Sequence, residues 1–208
     1  MPKWKRMTDI AGASLGLMIC APVFMLIAGF IKTVSPGPVF FKQQRIGFGG
    51  KTFTFFKFRT MKVNADTTAH QKLLAELIKD DNSPGSAGKP MTKLDHDPQI
   101  IPCGNFLRKS CIDELPQLIN VLIGDMSLIG PRPPIPYEVD EYDRWHRARL
   151  STIPGMTGLW QISGKNRLTF KEMVRLDIRY LRNRSLWHDI KILLLTPRAI
   201  VSQIKEIL

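Results

Sequence analysis

The sequence predicts an α+β fold in which a re-entrant membrane helix precedes a small β-hairpin and several helices, some of them amphipathic and interfacial. Three observations predict it. An uncharged apolar run extends from Ile10 to Ile31, two β-rich segments flank a glycine turn at 47–50, and the remainder carries helical periodicity with cap signals. The expected division is residues 1–34 as anchor and 35–208 as one domain at the cytoplasmic face.

The apolar run is long enough to cross a bilayer, which takes about 20 residues. Lys3, Lys5 and Arg6 precede it, and Lys32, Lys42, Arg45 and Lys51 follow it. Cytoplasmic flanks carry the positive excess, so both ends ask for the same side. A helix that enters and turns back satisfies both, and Pro22 is placed to kink it by removing one backbone donor. A kinked single span is the alternative. A cleaved signal peptide fits poorly, because the run is too long and no small-x-small site follows it.

Residues 38–58 read as the hairpin, with GFGG as its turn. In 66–80, Leu73, Leu74, Leu77 and Ile78 share a helical face behind Asp66 or Thr67 as cap. DNSPGSAGKP (81–90) is a loop by composition. A helix is expected over about 112–123, burying Leu115, Leu118, Ile119 and Leu122, with Pro116 tolerated in its first turn. GPRPPIP (130–136) must be a rigid extended loop. Thr169 to Glu172 is a capping box, and Ser185 and Thr196-Pro197 read as further helix starts. The last helices mix Arg and Lys with Trp145, Trp187, Leu and Ile, the composition of helices lying flat at an interface.

The 208 residues suffice for one core besides the anchor. Lys plus Arg number 30 against 18 Asp plus Glu, a formal charge of +12, which implies an anionic partner. Cys20, Cys103 and Cys111 form no C-x-x-C pair, and the four histidines no H-x-x-x-H, so a disulfide framework or a zinc site has no support. Neither a P-loop nor a G-x-G-x-x-G is present, which removes the usual nucleotide motifs.

The adjacent carboxylates Asp113 and Glu114, taken alone, read as a helix cap. Around them in sequence lie cations at element ends: Lys57 and Arg59 where the second strand closes, Arg108 before the acids, Arg132 in the proline loop, and Lys165 and Arg167 in SGKNR. Together they suit a diphosphate, whose oxygens match the planar fork of Arg. Gly155, Gly158 and Gly164 would let backbone approach a ligand closely. Asp95-His96-Asp97 offers a D-x-D alternative that could hold a metal on a nucleotide sugar. The parallel nucleotide-binding unit such an enzyme needs ahead of it is missing.

The ordered motifs SPGPVFFKQQRIG (35–47), FKFRTM (56–61), DPQI (97–100), FLRKSCIDELPQLINVLIGDMSLIGPRP (106–133) and PGMTGLWQISGKN (154–166) resemble the bacterial sugar transferases, the monotopic polyprenyl-phosphate phosphoglycosyl transferases. The likeness covers nearly the whole chain. It implies transfer of a sugar 1-phosphate from a UDP-sugar to undecaprenyl phosphate, with release of UMP, at the cytoplasmic face of a bacterial inner membrane. It implies Asp113 as nucleophile, Glu114 as its partner, and Mg²⁺ as cofactor held by Asp113 and Glu114. It also implies anion binding by Arg108 and Arg132, with Lys57 and Arg59 beside them. The expected partners are UDP-sugar, undecaprenyl phosphate and membrane lipid, with no nucleic acid and with a homo-oligomer left open. The chain departs from the family in IIPCGN (100–105) and in a longer segment at about 67–90, and it is expected to lack the extra N-terminal spans of larger members. Galactose or glucose, feeding exopolysaccharide or O-antigen synthesis, is the expected sugar. The competing readings are a membrane-anchored anion-binding module and a D-x-D glycosyltransferase releasing UDP.

Overall fold

The computed structural model describes residues 1–82, 89–90 and 98–205. The D-x-D residues Asp95, His96 and Asp97 lie outside that set, as do residues 83–88 of the expected loop.

Helix α1 (Lys3–Val34) runs unbroken through Pro22. It is long and apolar enough to cross a membrane, and its most apolar window is 6% buried, which suggests membrane association. One stripe of the helix nevertheless packs on the rest of the protein. Lys5, Asp9, Ala13, Ile27 and Ile31 are buried, while Met18, Ile19, Met25 and Leu26 on other faces are each at least 65% exposed. Both ends of α1 are therefore bound to the same body.

Strands β1 (Phe40–Ile46) and β2 (Thr52–Phe58) form the antiparallel hairpin, with Phe41 opposite Lys57 and Arg45 opposite Phe53. The hairpin reaches into three cores. Ile46 joins Leu74, Ile78, Tyr142, Phe170 and Met173; Phe55 joins Ala13, Leu118, Val121 and Met126; Phe58 joins Ile27, Ile31, Ile101 and Leu107. Helix α1 thus contributes to two separate cores, near its start and near its end.

Helix α2 (Thr68–Asn82) begins as expected, with Asp66 Oδ1 accepting from the Thr68 N–H at 2.9 Å. Helix α3 (Gly104–Lys109) leads into a 3₁₀ turn, Ile112–Glu114, and then α4 (Gln117–Ile123). The single helix expected over 112–123 is divided at Pro116, which sits at the N-cap of α4. Its buried side is Gln117, Leu118, Asn120 and Val121, whereas Leu115, Ile119 and Leu122 are only half-buried. Gly124 ends α4 at φ 104°, the left-handed backbone that glycine adopts at no steric cost.

Strand β3 (Ser127–Ile129) pairs in parallel with β4 (Gly155–Thr157), a sheet with no counterpart in the sequence reading. The crossover between them carries the proline loop, α5 (Pro136–Asp140) and a 3₁₀ segment, His146–Ser151. Gly155 and Gly158 do approach a backbone closely, but it is the protein's own. A Cβ at Gly155 would lie 2.0 Å from Gly130 N, and one at Gly158 2.3 Å from Gly130 O. The expectation that these glycines admit a ligand is corrected accordingly: they let two strands touch.

Helix α6 (Leu159–Ile162) and a 3₁₀ turn, Lys165–Arg167, precede α7 (Phe170–Arg182). The capping box is formed, with Thr169 accepting from the Glu172 N–H and Glu172 accepting from the Thr169 N–H. Helix α8 (Leu186–Lys205) starts at Ser185, whose hydroxyl accepts from the His188 N–H. No helix starts at Thr196-Pro197, because α8 passes through it. There the Thr196 hydroxyl donates to the Ile192 carbonyl at 2.8 Å and lies 2.9 Å from the Thr157 hydroxyl, bonds that hold this part of the helix to β4. Trp187 is 79% exposed on α8.

Candidate active site

The two carboxylates stand where a strained backbone meets a proline. Cys111 adopts φ 57°, a left-handed conformation uncommon for a residue with a side chain, immediately before the 3₁₀ turn. The turn is closed by Glu114 N–H to Cys111 O (3.1 Å) and Leu115 N–H to Ile112 O (3.2 Å). Asp113 is buried, while Glu114 is half-buried.

Lys57 faces both. Its Nζ lies 2.6 Å from Glu114 Oε1 and 3.7 Å from Asp113 Oδ2. The strand bearing it is fastened to α4 by Asn120, which is fully buried. Asn120 Oδ1 accepts from the Phe56 N–H (3.1 Å) and its amide donates to Thr54 O (2.7 Å), so one side chain imitates a strand neighbour for β2. This distance-setting bond lies between the residues that carry the cation and the residues that carry the acids. Sequence reading missed it, and only the amide in the otherwise apolar pattern LINVLI hinted at it.

Phe55 lies between two cations. The Arg45 guanidinium is 5.1 Å from its ring centroid and Lys57 Nζ is 5.6 Å away, both within cation–π range. Arg45, also missed, is buried and donates to Gln43 Oε1 (3.0 Å) and Pro133 O (3.0 Å). Burial, and then the Arg132 guanidinium, pull its pKa down to about 9. The field that acts on Arg45 includes Glu114, so Arg45 belongs to the surroundings of the carboxylate pair.

The other expected residues separate. Arg132 projects from the rigid segment between Pro131 and Pro133, its side chain 32% exposed, with Nη1 3.8 Å from Glu138 Oε2. Its loop is pinned by Arg45 through Pro133 and by the Ile46 N–H through Pro134 O. Lys165, at φ 47°, donates to Cys111 Sγ at 3.3 Å and so reaches the turn that carries the acids. Arg167 is exposed on the same 3₁₀ turn as Lys165. Arg108 is half-buried in the last turn of α3. Arg59 is placed elsewhere: its two terminal nitrogens donate to Pro36 O (2.6 Å) and Ser35 O (2.7 Å), clamping the end of α1.

Behind Arg132 lies a sealed network. Glu138 Oε1 accepts from Tyr142 (2.6 Å) and faces Arg149 (3.4 Å), and Arg149 pairs with Asp177 at 2.6 Å. Burial raises Glu138, but Arg132, Arg149 and the Tyr142 hydroxyl outweigh it and leave the carboxyl below its ordinary pKa. Burial pushes Asp177 up to about 6, against the pull of Arg149.

Among the described residues no three His, Cys, Asp or Glu side chains gather as a metal cage. A magnesium ion does not require one, since it is commonly held by one or two carboxylates together with substrate phosphates and water. Asp113 and Glu114 meet that requirement in donor type and adjacency.

Fold and site together define a protein in which a long apolar helix packs on a body that sets paired carboxylates against a lysine, with further basic residues on neighbouring elements. The chain belongs to the bacterial sugar transferase family, whose model matches residues 2–203. It is 45% identical to the galactosyl transferase CpsE of Streptococcus agalactiae over 95% of this chain and 42% of that protein. It is 39% identical to the exopolysaccharide production protein ExoY of Sinorhizobium fredii over 94% of this chain and 84% of ExoY. It is 40% identical to the undecaprenyl-phosphate galactose phosphotransferase of Salmonella typhimurium over 95% of this chain and 40% of that protein. The chain thus spans about two fifths of two of these relatives and most of the third.

Proposed function

We propose that the protein transfers a sugar 1-phosphate from a UDP-sugar to undecaprenyl phosphate and releases UMP. The observation that carries this is the buried Asp113 beside Glu114, faced by Lys57 and close to further cations. Family membership supports the reaction class. In the proposed sequence a carboxylate oxygen of Asp113 attacks the β-phosphorus of the UDP-sugar. A phosphorus–oxygen bond to Asp113 forms, the bond to UMP breaks, and UMP leaves with the electron pair. An oxygen of undecaprenyl phosphate then attacks the same phosphorus and displaces Asp113, which returns to its carboxylate form.

Both reactants are anionic, so the barrier is largely repulsion, and fixed cations lower it without reorganising. Lys57 would orient the carboxylates and offset charge, while Arg132, braced by its prolines and by Glu138, would take phosphate oxygens. Lys165 and Arg45 add positive potential near the turn. A magnesium ion bound by Asp113 and Glu114 would supply further neutralisation of the diphosphate. Galactose leads the candidate sugars, because two of the named relatives carry it in their names; glucose is the second.

In the same reading α1 enters and leaves one leaflet, with the domain at the cytoplasmic face of the inner membrane. The attachment of both helix ends to one body supports this. Lys3→Cys and Lys32→Cys, each in a background without the native cysteines, are expected to react with an impermeant maleimide in inverted vesicles and not in intact spheroplasts. Reaction of the two positions from opposite sides would sink the re-entrant reading.

The deciding experiment incubates the full chain with undecaprenyl phosphate and a panel of UDP-sugars. UMP is the expected product, and UDP would identify a glycosyltransferase instead. Labelled UMP should exchange into UDP-sugar without any lipid acceptor. Active enzyme that shows no exchange would point to direct transfer.

A further inference from the structure

We infer that the first turns of α1 position the active site, with Arg6 and Asp9 as positioning residues, so the helix is a strut of the catalytic core as well as an anchor. The last carbonyls of a helix lack intrahelical donors. Arg6 fills that need for α4, donating from Nη1 to Val121 O (2.6 Å) and from Nη2 to Leu122 O (2.7 Å). The other end of α4 continues through Pro116 into the turn bearing Asp113 and Glu114. Its middle is stapled by Asn120 to the strand bearing Lys57. Arg6 therefore fixes the far end of a short rod whose near end carries the acids.

Asp9 holds a second rail. Its Oδ1 accepts from Ser127 Oγ (2.9 Å) and from the Leu128 N–H (2.9 Å), at the start of β3. Three residues beyond β3 the chain reaches Arg132. Lys5 supports the same end through Asp189 at 2.6 Å, and Tyr180 donates to Asp189 (2.8 Å) and lies 3.2 Å from Ile129 O. Asp9 Oδ2 is buried without a hydrogen-bond partner. An anchoring charge would be placed in water, whereas Arg6 and Asp9 are bonded to the two segments that lead to the site.

The two rails lead to different residues and so to different kinetic signatures. Arg6→Gln should lower kcat roughly 10- to 100-fold, as displacements remote from the chemistry can, and leave the UDP-sugar KM within about twofold. Asp9→Ala should act mainly through Arg132 and raise that KM several-fold. Arg6→Lys, which keeps a charged donor but loses the fork, should recover part of kcat. Lys3→Gln and Lys32→Gln remove equal charge from the flanks without touching either rail and should leave kcat unchanged.

These kinetic outcomes rest on the transferase reading. Amide hydrogen exchange on the full chain in detergent does not, and Arg6→Gln should speed exchange across residues 112–123 while α7 keeps its protection. Wild-type protein that releases no UMP from any UDP-sugar overturns the transferase reading and leaves the exchange result to decide this one. Unchanged exchange at 112–123 in Arg6→Gln overturns the positioning role. Equal loss of kcat in Lys3→Gln and Arg6→Gln also overturns it, in favour of a plain anchoring charge.

Discussion

Two acidic pairs in this protein use similar chemistry in opposite surroundings. Glu138 and Asp177 face Arg149 with all three side chains at most 1% exposed. Asp113 and Glu114 face Lys57 with side-chain exposures of 6%, 31% and 21%. The first group has its acids fully enclosed, and its work is to hold α5, α7 and the proline loop in register. In the second, Glu114 and Lys57 remain partly exposed, and in the proposed reaction these charges would meet those of a ligand. The two groups differ in access to solvent, while their residue types are nearly the same.

Asp113→Asn should test the open pair most severely. UMP release should fall by at least about 10³-fold, because a carboxamide cannot form the covalent link, while the unfolding midpoint in detergent barely moves. A large loss of stability in this variant would instead class Asp113 with the sealed group. Arg149→Met is the converse. It strands two buried carboxylates and should cost about 3–5 kcal/mol of stability, read by thermal or denaturant unfolding. A stable, inactive Arg149→Met protein would mean that the network acts directly on substrate. Lys57→Gln comes next, with kcat/KM expected to drop roughly 10²-fold, the scale of losing one preorganised charge donor. Retention of full activity would reduce Lys57 to a surface ion pair.

The smallest expected effect concerns His70, whose Nδ1 lies 2.9 Å from the Tyr137 hydroxyl near Arg132. Burial, followed by Arg132 and Arg45, lowers its pKa. The folded protein keeps His70 neutral where the unfolded chain takes up a proton, so its contribution is full above pH 6.5 and shrinks as pH falls below that value. The wild type should therefore lose more thermal stability between pH 7.5 and 5.5 than His70→Gln does. Parallel curves would show that His70 titrates alike in both states.

The elements legible in the sequence were those whose signal is local and repeated. The Ile10–Ile31 run, the alternating hairpin with its glycine turn, and the Thr169–Glu172 box each specify a backbone from a few neighbouring side chains. The β3–β4 pair was illegible because three-residue strands show no period, and their partners are far apart in the chain. The glycines that permit that pairing look the same in sequence as glycines that admit a ligand. Pro116 divides the expected helix because the 3₁₀ turn needs its own geometry at Cys111, which no residue type announces. Of the expected site residues, the acids and Lys57 lie together. Arg59 went to the end of α1 because nearby carbonyls at 35 and 36 needed donors. Arg45 and Asn120 escaped notice because their partners are set by tertiary approach.

The attachment of α1 to the body also bears on how the chain is made. Arg6 bonds to carbonyls 115 and 116 residues downstream, and Lys5 to a carboxylate 184 residues downstream. At a synthesis rate of about 5–20 residues per second, the first helix waits on the order of ten seconds for its partners in α4 to emerge. Through that interval its charged end lacks these partners, and the cores around Ala13 and Ile31 are incomplete. Such long sequence separations slow folding. A helix made well ahead of α4 is thus among the last elements to complete its native contacts.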